Sequence, residues 1–272
     1  IEITYACKMN CTHCLSDCKP NGQYMSIDTF KDVLNFMVDH TIPTWMFSDG
    51  EMFEHPEILT MLNMIESSYK ELYNRTYIPI PITFSTNGRE LVRNKIIYNA
   101  VADMKKRFGK YKILIQITDD PRFYPDPLSD KEKYWLKKLN AIIDTVPNNP
   151  NDKTSCLYPQ GRALTNFPDA NWNTIGPKCA NCILIAKQKP FASFTDLVHY
   201  LLLKEKLCTP VIAPNGDIKI GESALCPAVA NIYQTDAEIM NNIRHCKCHQ
   251  CDIAWNKLKE TNTLAYNMLT TT

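Results

Sequence analysis

The chain has 272 residues, 44% of them hydrophobic, enough to bury a large core as one big domain or two unequal ones. A net charge of +1 with no long basic run argues against a dedicated nucleic-acid or anionic-membrane binder. No apolar run approaches the length of a membrane span. In chain order, Ile1 already lies in a short apolar strand, so where the native protein starts stays open, and with it whether a signal peptide once preceded it. A cysteine-rich loop and the turn Lys19-Pro20-Asn21-Gly22 follow. Ser26 then caps a helix predicted to reach His40, with Phe30, Val33, Leu34, Phe36, Met37 and Val38 at helical spacing. Ile42–Phe47 reads as a strand and His55-Pro56 opens a helix through Leu72. Ile78–Ser85 is a third strand, a helix runs from Arg89 to Phe108, and Tyr111–Thr118 is a fourth strand. Strand and helix alternate, the pattern of a parallel α/β sheet.

Farther on, Asp130–Asn140 is predicted helical. Ala141–Val146 either extends it or forms a further strand. Positions 147–152 are a loop, and Thr154–Tyr158 is another strand candidate. Composition changes after Asn166, and Phe191–Lys206 reads as a helix. A domain boundary falls between 166 and 207. In the tail, Pro214-Asn215-Gly216-Asp217 between Val211-Ile212 and Ile218-Lys219-Ile220 marks a hairpin, followed by a helix from Asp236 to Arg244. No solenoid-period repeat is present.

Twelve cysteines dominate the chemistry, at 7, 11, 14, 18, 156, 179, 182, 208, 226, 246, 248 and 251. A chain this long needs no disulfide staples. Close C-x3-C, C-x2-C and C-x-C-x2-C spacings favour metal cages over a disulfide web. The expectation is a metalloprotein of a reducing, cytoplasmic compartment. Cys7, Cys11 and Cys14 follow the first strand as C-x3-C-x2-C, with the flat ring of His13 just before the last. Three thiolates on one loop can hold three irons of a [4Fe–4S] cluster and leave the fourth open; they also suit a zinc knuckle. After the second strand stands Ser48-Asp49-Gly50-Glu51, a glycine for close approach and a carboxylate able to accept from an ammonium. After the third stands Ser85-Thr86-Asn87-Gly88, polar groups at a parallel strand's carboxyl end that could equally be a helix cap. Gln116 and Thr118 share one face of the fourth strand.

Taken in this order, these motifs resemble the radical S-adenosylmethionine (radical SAM) superfamily. The matching features are its C-x3-C-x-Φ-C loop, its Gly-Gly-Glu segment (Asp49 standing where the first glycine would) and its Thr-Asn-Gly. The resemblance covers roughly residues 1–165 and implies a partial (β/α)6 barrel. It also implies a cluster on Cys7, Cys11 and Cys14 that binds SAM at the open iron. Contacts to SAM would come from His13, Gly50, Glu51, Ser85, Asn87, Gln116 and Thr118. The tail adds Cys208-x12-Gly221-x4-Cys226 and Cys248-x2-Cys251, which resemble the start of a SPASM domain. The further cysteines of the full SPASM pattern are missing, as in its shorter twitch form. This implies an auxiliary [4Fe–4S] cluster on Cys208, Cys226, Cys248 and Cys251, with Cys246 as an alternative ligand. Cys156, Cys179 and Cys182 offer a possible second auxiliary site. Pro159-Gln160-Gly161-Arg162-Ala163 resembles a segment frequent in these enzymes. The organisation expected is a barrel at 1–166, a linker and bridging helix at 167–207 and a small twitch/SPASM-like domain at 208–272.

The resemblance implies reductive cleavage of SAM to a 5′-deoxyadenosyl radical, with the electron supplied by a flavodoxin or ferredoxin. The radical takes a substrate hydrogen, and the auxiliary cluster accepts an electron, giving oxidation or crosslinking of a peptide or protein side chain. A small carbohydrate-like or nucleoside-like substrate is the second reading, and a zinc-stabilised interaction module the reading from another class. Asp119, Asp120 and Tyr158 are positional candidates for a catalytic base, the two aspartates also fitting a charged turn before Pro121.

Overall fold

The computed structural model describes residues 1–109, 112–144, 161–167, 190–203, 210–219 and 227–246, with isolated positions between 259 and 267. Ser26 accepts from the Thr29 amide and starts helix α1 (Ile27–Asp39). After it come strand β1 (Trp45–Phe47), a one-turn 3-10 segment (Met52–Glu54) and α2 (Ile58–Thr76). The chain continues through β2 (Ile82–Thr86), α3 (Arg89–Arg93), α4 (Lys95–Phe108) and β3 (Ile113–Thr118). Then follow α5 (Asp130–Lys138), β4 (Ile142–Asp144) and α6 (Gly161–Asn166). The C-terminal part holds α7 (Phe194–Leu203), β5 (Val211–Ile212), β6 (Asp217–Lys219), β7 (Ala228–Asn231) and α8 (Asp236–Arg244).

β1 to β4 form one sheet in that order, every pair parallel. The α/β class with a parallel sheet is therefore as expected. Trp45, Phe47, Ile82, Phe84, Ile113, Ile115 and Ile117 alternate onto the face covered by helices, and all are fully buried. Met61, Ile65 and Leu72 of α2 and Val101 of α4 belong to that same core. The opposite face carries Met46, Ser85, Gln116 and Thr118 and stays more open. Ala141–Val146, left undecided by periodicity, contains β4, which pairs with β3.

Three expectations are corrected. The first strand is a set of single bridges, Glu2 beside Ser48, Thr4 against Tyr24 and Ala6 beside Lys19, because the chain turns through several partners within a few residues. The helix from Arg89 to Phe108 breaks at Asn94. Its side chain turns back to accept from the Ile96 and Ile97 amides at 3.1 and 3.4 Å, so it ends one helix and caps the next. The tail hairpin gains a third strand, β7, that alternation did not reveal. Among the described residues no helix is long and apolar enough to cross a membrane. Thr154–Tyr158 and positions 204–209 lie outside the described residues.

The two sheets meet at the N-terminal segment. The Glu2 amide donates to Ile212 O at 2.9 Å, and Lys219 of β6 holds the Glu2 carboxylate at 2.7–2.8 Å. Ile3 and Ser48 link the same segment to the end of β1. The cysteine loop thus leaves the carboxyl edge of the parallel sheet, where loops of such sheets meet ligands.

Candidate active site at the cysteine loop

Cys7, Cys11, His13 and Cys14 line one cavity of about 490 Å3, together with Asp49, Gly50, Ser85, Asn87, Thr118 and Tyr124. None of Cys7, Cys11, Cys14 and Cys18 is in a disulfide. Burial pushes the Cys7 thiol up to about 11 and the Cys11 thiol to about 12. Cys14 is drawn down to about 6, chiefly by the hydrogen bond from Cys18, and Cys18 is pushed up in return. Cys18, which the three-cysteine pattern does not use, is thus a second thiol packed on Cys14.

The walls are fixed by close backbone approach. Gly50 sits at φ +40° with its amide neighbour, Glu51 N, donating to Ala6 O at 2.9 Å; a Cβ at Gly50 would lie 2.3 Å from that oxygen. Asn87 does two jobs: its Oδ1 caps α3 at the Arg89 amide (3.0 Å), and its Nδ2 approaches Cys7 Sγ at 4.0 Å. The His13 ring lies 4.7 Å from Phe123 and 5.4 Å from Tyr124, and its Nδ1 is buried with no hydrogen-bond partner. Burial holds that imidazole down to about 4, so it is neutral.

The two carboxylates after β1 part company. Glu51 is fully buried and does not line the cavity. It accepts from Phe53 N at 3.0 Å, Asn87 N at 2.8 Å and Thr86 Oγ1 at 2.7 and 2.8 Å, tying the ends of β1 and β2 together. Asp49, in the left-handed region at φ +68°, does line the cavity. It accepts from Ser16 Oγ at 2.8 and 2.9 Å and has no ion-pair partner among the described residues. Burial, then the negative Glu2, pushes its carboxyl up to about 7.

Other expected residues are placed as follows. Ser85 and Thr118 reach the cavity; Gln116, paired with Ser85, is exposed on the same face without lining it. Asp119 is buried between Arg89 (2.5 Å) and Lys133 (2.9 Å), and Asp120 is held by Arg122 at 2.6 Å. Neither lines the cavity. Both behave as the charged turn before Pro121, ion-paired and held below the usual carboxylate range despite burial. Tyr158, Cys156, Cys179, Cys182, Cys208, Cys226, Cys248 and Cys251 lie outside the described residues; Cys246 sits just past α8, its amide on Ile243 O. Sequence reasoning missed Tyr124, because a lone tyrosine in a Pro121–Pro127 turn carries no periodic signal. It also missed the apolar part of the cavity lining, where Phe36, Met46, Phe194, Val198 and Ile212 converge from four separate elements.

Three soft thiols on one cavity wall, with the buried, unpartnered His13 Nδ1 beside them, fit an iron–sulfur cluster.

No protein-family profile matches the chain. A 72-residue stretch is 28% identical to the antilisterial bacteriocin subtilosin biosynthesis protein AlbA of Bacillus subtilis (strain 168). It covers 26% of this chain and 16% of that protein, so the match spans well under two thirds of the relative. The fold is similar to that of anSMEcpe with bound AdoMet and a Cp18Cys peptide (TM-score 0.52, 12% identity, 89% of this chain and 79% of that one). It is similar as well to anSMEcpe with AdoMet alone (TM-score 0.50, 12% identity, 89% and 80%). The cysteine loop and the strand-end motifs, which in their order resemble those of the radical SAM superfamily, thus sit on a fold similar to that of anSMEcpe.

Proposed function

We propose that the chain cleaves SAM reductively and uses the result to modify a peptide. The observation that carries the reading is the cavity itself: Cys7, Cys11 and Cys14 on one wall, and Asp49, Ser85, Asn87 and Thr118 at the carboxyl edge of the parallel sheet. Those three cysteines would hold a [4Fe–4S] cluster, which supplies the electron that splits SAM into a hydrogen-abstracting radical. The chain's own groups orient and shield. Asp49 is the carboxylate that would meet the SAM ammonium, since it lines the cavity beside the cysteines while Glu51, tied to Phe53, Thr86 and Asn87, does not. Asn87, Ser85 and Thr118 offer hydrogen bonds along the same edge. Tyr124 and neutral His13 offer flat apolar faces for a nucleoside base. Gly50 lets the strand end approach without a side chain between.

A peptide is the favoured substrate class. Besides the cysteines, the cavity has an apolar part lined by Phe36, Met46, Phe194 and Val198, which suits an apolar side chain. The relative AlbA is named for bacteriocin biosynthesis, and the similar structure holds a peptide. The auxiliary cluster on Cys208, Cys226, Cys248 and Cys251, a flavodoxin- or ferredoxin-type electron donor and a reducing cytoplasmic setting belong to the same reading. The β5–β6 hairpin between Cys208 and Cys226 supports the auxiliary-cluster part. Anaerobic reconstitution with iron and sulfide tests it. Brown protein with about eight irons per chain that forms 5′-deoxyadenosine from SAM and dithionite supports the reading; colourless protein holding only zinc sinks it.

A further inference from the structure

The cysteine loop has few hydrogen bonds of its own. Cys14 N reaches Cys11 O at 3.3 Å and Asp17 N reaches Cys14 O at 3.5 Å, both long. Asn10 and Asp17 turn through the left-handed region at φ +50° and +49°. A loop of this kind keeps its shape only if outside groups take its carbonyls.

α6, far away in sequence, takes them. The Arg162 amide donates to Cys14 O at 3.0 Å, Nε to Cys11 O at 2.8 Å, and Nη1 to Cys18 O at 2.8 Å and to the Asp17 carboxylate at 3.2 Å. Asn166 Nδ2 adds a bond to Thr12 O at 2.8 Å. Gly161, at φ +55°, permits the approach: a Cβ there would stand 2.2 Å from Cys14 O and 2.4 Å from Leu15 O. One residue therefore holds the carbonyls of three of the loop's four cysteines. The planar guanidinium fork can point several donors at fixed angles, and a lysine cannot. Its charge also favours the thiolate at both Cys11 and Cys14.

We propose that Arg162 is a positioning residue: it holds the cysteine loop in the shape that accepts the cluster, and its charge offsets the negative charge gathered there. This rests on the reading that Cys7, Cys11 and Cys14 bind iron. Geometry and charge separate by substitution. R162Q removes the charge and much of the fork, and R162K keeps the charge but loses the fork. N166A weakens the clamp while leaving Arg162 in place, and so covers the case that R162Q does not fold.

The test is made on the reconstituted full chain. Iron and sulfide at this cluster are measured as the difference from the C7A/C11A/C14A variant. Release to a chelator is followed by the loss of visible absorbance, and the midpoint potential is read by electron paramagnetic resonance (EPR). The loss expected for removing a group that orients metal ligands is about 10- to 100-fold in metal retention. R162Q should release iron at least about tenfold faster, with a more negative midpoint. R162K should restore the midpoint towards wild type yet still release iron fast, and N166A should release it at an intermediate rate. Wild-type retention and potential in R162Q, or in both R162K and N166A should R162Q not fold, would overturn the proposal. If the wild type and the triple-cysteine variant hold the same iron, the underlying reading fails and this inference with it.

Discussion

Replacing Glu51 by glutamine separates a structural carboxylate from a ligand-binding one. Burial raises the Glu51 pKa from the ordinary 4.5 to about 7, even though hydrogen bonds from Thr86, Phe53 and Asn87 pull the other way. At about 1.4 kcal/mol per pH unit, ionising this group costs the folded chain about 3 kcal/mol more than it costs the unfolded one. The folded pKa lies above the unfolded one. Between them the folded chain keeps a proton that the unfolded chain has lost, so this contribution is full below about pH 4.5 and gone above about pH 7. Glutamine has no such dependence, but its amide nitrogen must face one of the two backbone donors, Phe53 N or Asn87 N. That costs about 1–3 kcal/mol. E51Q should therefore be clearly less stable than wild type at pH 5. The gap should close by about 2–3 kcal/mol at pH 8. Urea unfolding of the iron-free chain under reductant, followed by tryptophan fluorescence at both pH values, measures it; other titrating groups cancel in the difference. Parallel wild-type and E51Q profiles would refute the assignment of Glu51 as the buried tie between strand ends.

Asp49→Asn should make the fold more stable above about pH 7, where ionising the buried Asp49 carboxyl beside Glu2 costs the folded chain, and should weaken SAM binding about 10- to 100-fold, the worth of a charge-assisted hydrogen bond, by equilibrium dialysis. The wild-type affinity should fall as pH drops below about 7 and Asp49 gains its proton, and D49N should lack that fall. Asp119→Asn leaves Arg89 and Lys133 facing a neutral buried group. It should cost about 3–5 kcal/mol of stability, seen as a lower thermal midpoint, with SAM affinity of the folded fraction unchanged. Gly50→Ala forces a Cβ against Ala6 O at φ +40° and should cost about 3 kcal/mol or more, read as loss of soluble folded protein.

How much of this was legible depended on how local the signal was. Ser26, with Phe30, Val33 and Met37 behind it, marks α1 because capping and periodicity act over a few residues. The helix at Asp236–Arg244 is likewise found where expected, and the structure shows a Thr235–Glu238 capping box at its start. Asn94 was misread because Ile96, Ile97 and Val101 continue a helical stripe across it; only its side chain's turn back onto the next amides ends the first helix. β7 was invisible because Ala228, Val229 and Ala230 are too small and too few to alternate clearly. At the site, motif order located Cys7, Cys11, Cys14, Gly50, Ser85, Asn87 and Thr118 on one cavity. It pointed to Glu51 rather than Asp49, whereas Asp49 lines the cavity and Glu51 is turned to Thr86 and Asn87 arriving from the next strand. The hold of Arg162 on the cysteine loop is a contact across 151 positions to Cys11, beyond any local pattern.

The most direct test of the central claim is EPR of the reduced, reconstituted protein with and without SAM. If Cys7, Cys11 and Cys14 leave one iron open to SAM, the wild-type [4Fe–4S] signal changes shape when SAM is added, and the SAM-responsive component is absent from C7A/C11A/C14A. A wild-type signal indifferent to SAM, or a SAM response that survives in the triple variant, would contradict the account.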